Sequence, residues 1–523
     1  MAKPYQFVAL GAAGIALVAT GVVLNLNHAP TGSGKITGTI TTDNGDLKIN
    51  WDRYPTYEVN LNEHYSYTIT ASGTYHLTGS LTSGAIIINA SSDNVVKLVL
   101  DNVTIKNPNG PAIACYNADD LVIGLVGDNT IEDASKYDAS YDEDVQGAIY
   151  SKSDLTFQGN GTLSLTAHYQ DGIVSKDDLK FNSGTYNITA ADDAIRGKDS
   201  VYIVGGTYNL TATADAIKST NETDGNKGFV LIEDGNFTIK SGAKGIKSIN
   251  STLIYDGSFV ITSTDDSIHS NNYVGIAGGN FTLTSSDDGV HADRELIIDG
   301  GKINIKKSYE GLEAQAITIN AGEISIVASD DGINAGGGAD SSAMNRPGAG
   351  AFDANTSCVL IIAGGNIYVN ASGDGIDSNG YIYFNGGTVT VDGPTNNGNG
   401  ALDTGVSIQQ NGGTVIAIGA SGMAETLGST SGVYNASIYF TSVQAAGTTI
   451  EIKNFAGNTI IEHTSAKTFN HMAVGTPDFK SGETYTVYVN GEQYQSFTIS
   501  AITTTVGNSN QNYNNMMQNG GRR

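Results

Sequence analysis

Residues 285–293 read SSDDGVHAD, two carboxylates in front of a glycine with a histidine three places on. A lone Asp-Asp-Gly is an ordinary turn, because Asp bonds nearby backbone and Gly accepts positive φ. Here the group is one rung of a series. The position of Asp288 recurs at Asp171, Asp193, Asp215, Lys244, Asp266, Glu310, Asp331, Asp374 and Asn399, with Ile, Val or Leu two residues later at all but the last, where Ala401 stands. From Asp171 the steps are 22, 22, 29, 22, 22, 22, 21, 43 and 25 residues. A glycine before a short strand keeps step at Gly184, Gly206, Gly235, Gly257, Gly279, Gly301, Gly322, Gly365, Gly387 and Gly413. Two independent markers on one period near 22 define a repeat architecture.

Two and four residues beyond each glycine stand apolar residues: Tyr186/Ile188, Tyr208/Leu210, Phe237/Ile239, Phe259/Ile261, Phe281/Leu283, Ile303/Ile305, Ile324/Ile326 and onward to Val415/Ala417. A period of two marks strands with one buried face. Five and three residues before the glycine the pattern repeats, as in Leu179/Phe181, Val201/Ile203 and Leu296/Ile298. No helical segment separates these strands, so they are expected to coil around one core. The expected fold is all-β: a parallel β-helix with like residues stacked on like. Strand twist favours right-handed connections.

The repeat bounds the domains. Residues 1–30 read as a signal peptide or membrane anchor, 31–110 as an N-terminal cap with the first coils, and 111–430 as the parallel β-helix. Residues 431–505, where the period breaks, read as a C-terminal β cap, and 506–523 as a disordered tail rich in Asn, Gln and Gly. The uncharged run FVALGAAGIALVATGVVL at 7–24 suits an export signal and is marginal for a span, which needs about 20 residues. Either way the remainder is expected outside the cell or on its surface. GGGADSSAMNRPGAGAF, 336–352, reads as a protruding loop.

Net charge is −26 over 523 residues. That argues against nucleic acid, whose binding rests on neutralising phosphates with Lys and Arg. Cys115 and Cys358 would lie far apart along a stack advancing about 4.8 Å per coil, beyond disulfide reach, and read as buried thiols.

The same advance brings carboxylates at one phase together. Asp266, Asp288, Glu310 and Asp331 form a ladder, doubled by Asp265, Asp287 and Asp330 and joined by Glu313. Like charges at that spacing raise one another's pKa or require a counter-ion. Oxygen-only ligands on turns suit Ca²⁺. The expected pockets are Asp265/Asp266 with Asp287/Asp288, Glu310/Glu313 with Asp330/Asp331, and Asp331 with Asp374/Asp377. The competing reading makes them solvated turn residues. Upstream, Lys244 interrupts the series, and salt bridging is expected to replace metal there.

Three residues past the rungs stand Arg196, Lys218, Lys247, His269 and His291, followed by Glu313, Asn334 and Asp377, with Asp403 four past Asn399. Odd offsets from the core Ile are expected to face outward. The column therefore reads as a surface stripe whose basic end offers a site for a carboxylate-bearing polymer, or as charges balancing neighbouring Asp rungs. Outward positions after the glycines are small and polar, as in Thr185/Asn187, Thr207/Asn209 and Asn236/Thr238. They form a face of amides and hydroxyls able to bond sugar hydroxyls, or an inert solubilising one.

The stretches GAIYSKSDLTFQGNGTLSL, DGIVSKDDLKFNSGTYNITAADDAIRGKDSVYI and GDGIDSNGYIYFNGGTVTVDGPTNNGNGALD, with GASGMAE after them, closely resemble a clostridial carbohydrate-binding β-helix family similar in fold to polysaccharide lyases. The resemblance runs from about residue 40 to 500. It implies a right-handed β-helix, bound calcium, a secreted or cell-surface location, and binding of cellulose and acidic sugars such as polygalacturonate. By motif it places calcium at 265–266, 287–288, 330–331, Asp374 and Asp377. Lys244 and Ser267 depart from the pattern.

Three functions compete. The first is an exported, calcium-stabilised binder of acidic polysaccharide. The second is a calcium-dependent polyuronate lyase, with Lys218 or Lys247 as the base removing the C5 proton. The third is a structural surface fibre or adhesin subunit that self-assembles into filaments.

Overall fold

The computed structural model describes residues 23–25, 39–41, 49–336 and 355–507. Most of the apolar run at 7–24, nearly all of the 336–352 loop and the tail beyond 507 lie outside them. No helix among the described residues is long and apolar enough to cross a membrane. The chain divides into two compact units, residues 1–272 and 273–523.

Unit 1 is a stack of parallel coils. In one coil the strands are Asp171–Ser175, Asp178–Phe181 and Thr185–Ala190; in the next they are Ile195–Gly197, Ser200–Ile203 and Thr207–Ala212. Each pairs in parallel with its successor, aligning Ile173 with Ile195, Leu179 with Val201 and Tyr186 with Tyr208. The expected parallel β-helix is therefore the observed fold. Because the register sets like on like, aromatic rings pile face to face: Tyr186–Tyr208 at 5.0 Å, Tyr208–Phe237 at 4.7 Å and Phe237–Phe259 at 4.6 Å. Ile195, Val201, Ile203, Tyr208 and Leu210 are all buried, the five apolar side chains that the alternation assigns to one coil.

The marker glycines have a backbone reason. Gly206 sits at φ 124°, which a side chain would strain. A Cβ there would also lie 2.9 Å from the Gly184 carbonyl oxygen of the coil beneath.

Unit 2 continues the same pattern, for example Glu323–Ala328 on Asn366–Ala371 and Val359–Ile362 on Tyr381–Phe384. The 43-residue step between Asp331 and Asp374 adds one coil, since Ile333 pairs directly with Ile376. The last strand of the coil stack, Thr414–Gly419, is covered by Phe469–Gly475 running antiparallel. Beyond it four strands, Thr449–Lys453, Thr459–Thr464, Thr484–Val489 and Glu492–Thr498, make an antiparallel sheet. Its inner face, with Ile450, Ile452, Tyr485 and Val487, packs with Ile416, Ile438 and Met472 in one apolar cluster. This is the small C-terminal β cap, and it closes an edge that would otherwise pair with other chains.

Candidate functional site

The repeating Asp has a structural task first. Its Oδ1 accepts the backbone N–H of the equivalent residue one coil later. Asp193 N reaches Asp171 Oδ1 at 3.1 Å, Asp215 N reaches Asp193 at 3.0 Å, and Lys244 N reaches Asp215 at 2.9 Å. In unit 2, Glu310 N donates to Asp288 Oδ1 at 3.1 Å and Asp374 N to Asp331 Oδ1 at 2.6 Å. Each bond runs across the stack, to a backbone N–H 22 to 43 residues further along the chain. The other oxygen, Oδ2, is left for a cation, and there the two units differ.

In unit 1 the cation is a side chain. Arg196 Nε donates to Asp171 Oδ2 at 2.8 Å and lies 3.9 Å from Asp193. Lys218 Nζ stands 3.3 Å from Asp193 and 2.9 Å from Asp215. Lys244, the departure from the pattern, places Nζ 2.8 Å from Asp265 and 2.7 Å from the fully buried Asp266. His269 Nδ1 meets Asp266 Oδ2 at 2.8 Å and its Nε2 lies 3.0 Å from Asn271 Oδ1. Burial pushes Asp193 up to about 6 against the pull of Lys218. Burial opposes charge on Lys218 too, but Asp193 and Asp215 outweigh it and hold the ammonium above its usual range. That makes Lys218 a poor proton acceptor for a lyase. Lys247 is partly exposed and aligns with Lys218 and His269.

Among the described residues of unit 2 the cationic side chain in the column is an imidazole. His291 Nδ1 lies 3.0 Å from Asp288 Oδ2 and 2.8 Å from Glu313 Oε2, and Nε2 lies 3.2 Å from Asp293. Burial disfavours its charge, yet the three carboxylates outweigh burial and raise its pKa well above the usual histidine range. Beyond it the carboxylates face one another. Glu310 accepts from Asn334 at 3.0 Å, and burial, then Glu313, Asp288 and Asp331, push its pKa far up. Burial followed by Asp374, Asp330 and Asp377 takes Asp331 up to about 8. Asp374 rises to about 6 and Asp377 to about 7, burial leading in both. A Cβ at Gly373 would collide with a carboxylate oxygen of each of Asp330 and Asp331. Among the described residues, no lysine or arginine forms an ion pair with Glu310, Asp331, Asp374 or Asp377.

Of the three expected pockets, the second and third lie within unit 2, and their members are electrostatic neighbours. The first joins Asp265 and Asp266 of unit 1 to Asp287 and Asp288 of unit 2, so it spans the two units and stays an expectation. The surface stripe needs correction at its middle. His269 and His291 are each 1% exposed and Glu313 is 4% exposed. Each imidazole turns back toward the carboxylate three residues earlier instead of out to solvent. Direct sugar contact expected from His269 and His291 is therefore not available in this arrangement, while Arg196 and Lys218 are partly covered by their ion pairs.

Other acids in the same surroundings escaped the 22-residue marker. Glu425, pushed up to about 8 by burial and then Asp403, extends the unit 2 column past Asp377. In unit 1 a second cluster joins Asp154, Asp177 and Asp178. Asp178 N donates to Asp154 Oδ1 at 3.1 Å, the same ladder device at another corner. Its signal is the repeated SKSD, SKDD and GKDS at 151–154, 175–178 and 197–200. The outward polar face of unit 1 carries an open groove of about 340 Å³ lined by Ser164, Thr166, Asn187, Thr189, Asn209, Thr211, Thr238 and Lys240.

A parallel β-solenoid with acidic ladders at its turns and hydroxyl-rich outer faces is thus the class of protein the geometry defines. Residues 63–332 match the family of carbohydrate-binding domain-containing proteins, and the chain belongs to that family. A relative from Acetivibrio thermocellus, itself described as a carbohydrate-binding domain-containing protein, is 31% identical over 162 residues, which is 30% of this chain and 55% of the relative. The chain thus spans about half the length of the curated relative it matches. A solved structure described as a polysaccharide lyase-like protein from C. thermocellum, in a gadolinium derivative, is 27% identical. The match covers 48% of this chain and 87% of that one, with a TM-score of 0.34.

Proposed function

We propose that this protein is an exported polysaccharide-binding protein whose unit 2 is stabilised by calcium and whose ligands are acidic polymers resembling polygalacturonate, with cellulose as a neutral alternative. The family match across residues 63–332 carries the polysaccharide reading. The carboxylate column of unit 2 supports calcium. Its donors are hard oxygens, buried at Glu310 and Glu313 and half-buried at Asp331, Asp374 and Asp377, and side-chain cations do not neutralise Glu310, Asp331, Asp374 and Asp377 among the described residues. Glu310, Glu313, Asp330, Asp331, Asp374 and Asp377 are the residues that would hold it. Asp287 and Asp288 lie at the same phase. Asp265 and Asp266 fit less well, because Lys244 already occupies them. A bound Ca²⁺ would supply fixed positive charge for uronate carboxylates.

Binding is favoured over lyase chemistry by Lys218, whose ammonium is held by two carboxylates. A polysaccharide array probed with the full chain, with and without EDTA, tests both parts. Retention on polygalacturonate that EDTA abolishes and calcium restores is the expected outcome. Retention indifferent to EDTA removes calcium, and retention on no polymer removes the binding function. Ultraviolet absorbance of unsaturated uronate after incubation would turn the reading to the lyase, and sedimentation as filaments without sugar to the fibre.

A further inference from the structure

The first coil of unit 1 is built differently from the ladder. Its strand Thr56–Asn60 pairs with Gly73–Leu81, aligning Glu58 with His76 and Asn60 with Thr78. The chain then makes one 3-10 turn, Leu61–Glu63, before the strand Tyr67–Ile69. Asn60 fixes that turn from both ends of its amide: Oδ1 accepts from Asn62 N at 3.3 Å and Nδ2 donates to Glu63 Oε1 at 2.9 Å. The bend leaves a cleft of about 390 Å³ between Glu58, Asn60, Glu63, His64, Tyr67 and Thr78.

One wall is aromatic. The His64 and Tyr67 rings meet edge to face at 4.9 Å, and Tyr67 is backed in turn by the buried Tyr75 at 6.3 Å. Tyr67 is therefore held by the core while His64 stands in solvent. The other wall is polar and acidic. Glu58 Oε2 is committed to His76 at 2.6 Å and Glu63 Oε1 to Asn60, which leaves each carboxylate a second oxygen as acceptor. Concave sites combining ring faces with a few converging polar groups are where small polar ligands bind. A pyranose is such a ligand, with an apolar C–H face and a rim of hydroxyls. Among the described residues no lysine or arginine lines the cleft and two glutamates do, so a uronate would bring its own carboxylate against like charge.

We propose that the first-coil cleft binds a neutral pyranose unit of a polysaccharide, its ring against Tyr67 and His64 and its hydroxyls on Glu58, Asn60 and Glu63. The proposal rests on the carbohydrate-binding reading but on neither calcium nor acidic polymer. It gives the chain a neutral-sugar site separate from the carboxylate column.

Calorimetry on the full chain with cellohexaose, mannohexaose and xylohexaose, and with an oligogalacturonate of the same length, tests it. At least one neutral probe is expected to bind. Replacing the exposed pair by His64→Ala and Glu63→Gln should weaken that probe at least ~10-fold, a loss of about 1.4 kcal/mol, while leaving Tm and oligogalacturonate affinity unchanged. Glu58→Gln with Glu63→Gln should let the cleft accept the charged probe more tightly. Unaltered neutral binding in the His64→Ala/Glu63→Gln variant overturns the cleft. Binding of oligogalacturonate with no neutral probe bound overturns it too, while the wider reading stands. Failure of every probe removes the cleft and the carbohydrate reading together.

Discussion

The acidic columns of the two units start from the same residue at the same phase and solve its charge differently. In unit 1, Asp171, Asp193 and Asp215 hand their second oxygens to Arg196 and Lys218, and Asp265 and Asp266 hold Lys244. In unit 2, His291 serves Asp288 and Glu313, and from Glu310 onward burial and mutual repulsion drive Asp331, Asp377 and Glu425 to about 8, 7 and 8. The Oδ1 ladder is common to both, so it explains why Asp recurs. Only the treatment of Oδ2 separates a self-neutralised column from one that, on the proposed reading, an added cation would stabilise. Stacked charge is tolerable in a solenoid either by covalent cations every coil or by a divalent ion shared between coils.

The largest effect expected from breaking this contrast is at Lys244. Lys244→Met leaves Asp266, with no exposed surface, facing Asp265 without its ammonium. Removing one partner of a buried pair costs about 3–5 kcal/mol, read as a lowered denaturant midpoint. The sharper outcome is calcium dependence: the variant should regain part of its stability with millimolar Ca²⁺, where the parent does not at this rung. A variant destabilised but deaf to calcium would show that the two columns are not interchangeable.

Next comes removal of divalent ions from the parent chain. Hydrogen exchange followed peptide by peptide should show faster exchange in EDTA across Ile333–Ala335, Ile376–Ser378 and Leu402–Thr404, the strands that follow the unit 2 rungs. Ile195–Gly197 and Ile217–Ser219, flanked by built-in cations, should be unmoved. Equal response in both units would end the comparison.

A smaller effect, with a defined sign, follows from pH. Asp331 rises from its ordinary 3.8 to about 8 in the folded chain, Asp377 to about 7 and Asp374 to about 6. Between those values the folded metal-free chain keeps protons that the unfolded chain has released, so stability falls as pH rises from about 4 to 8. Metal-free unit 2 should therefore melt higher at pH 5 than at pH 8, and calcium should raise Tm more at pH 8. The opposite order would mean these carboxyls are already satisfied when ionised.

Much of this was legible in the sequence for a physical reason. A solenoid repeats its register, so the Tyr186, Tyr208, Phe237, Phe259 column appears as a spacing before it appears as stacked rings 4.6–5.0 Å apart. The acidic rungs were legible by the same rule. What period alone does not carry is where a long or ring-bearing side chain turns. His269 and His291 have the parity of outward residues, but each bends back onto an acid three residues earlier. Nor does period find residues that act once. Glu425 comes after the repeat has loosened, and the Glu58–Tyr67 cleft belongs to a first coil with no copy elsewhere in the series.

The smallest prediction concerns whether mutual repulsion in unit 2 is itself a cost. Asp377 is half-buried, accepts no cation among the described residues, and is pushed to about 7 by desolvation, then Asp374 and Asp403. Asp377→Asn keeps its shape and its reach to the Ser378 amide while deleting one charge. In EDTA at pH 8 the variant should be more stable than the parent by about 1 kcal/mol, on the order of one pKa unit of differential interaction. In calcium it should be less stable, because a ligand oxygen has been replaced by an amide with weaker affinity for a hard cation. The crossing of the two curves is the decisive feature. A structural acid that never meets metal would give the first change without the second, and an acid already paired would give neither. Only a carboxylate kept at an energetic disadvantage for the sake of an ion reverses sign when the ion arrives.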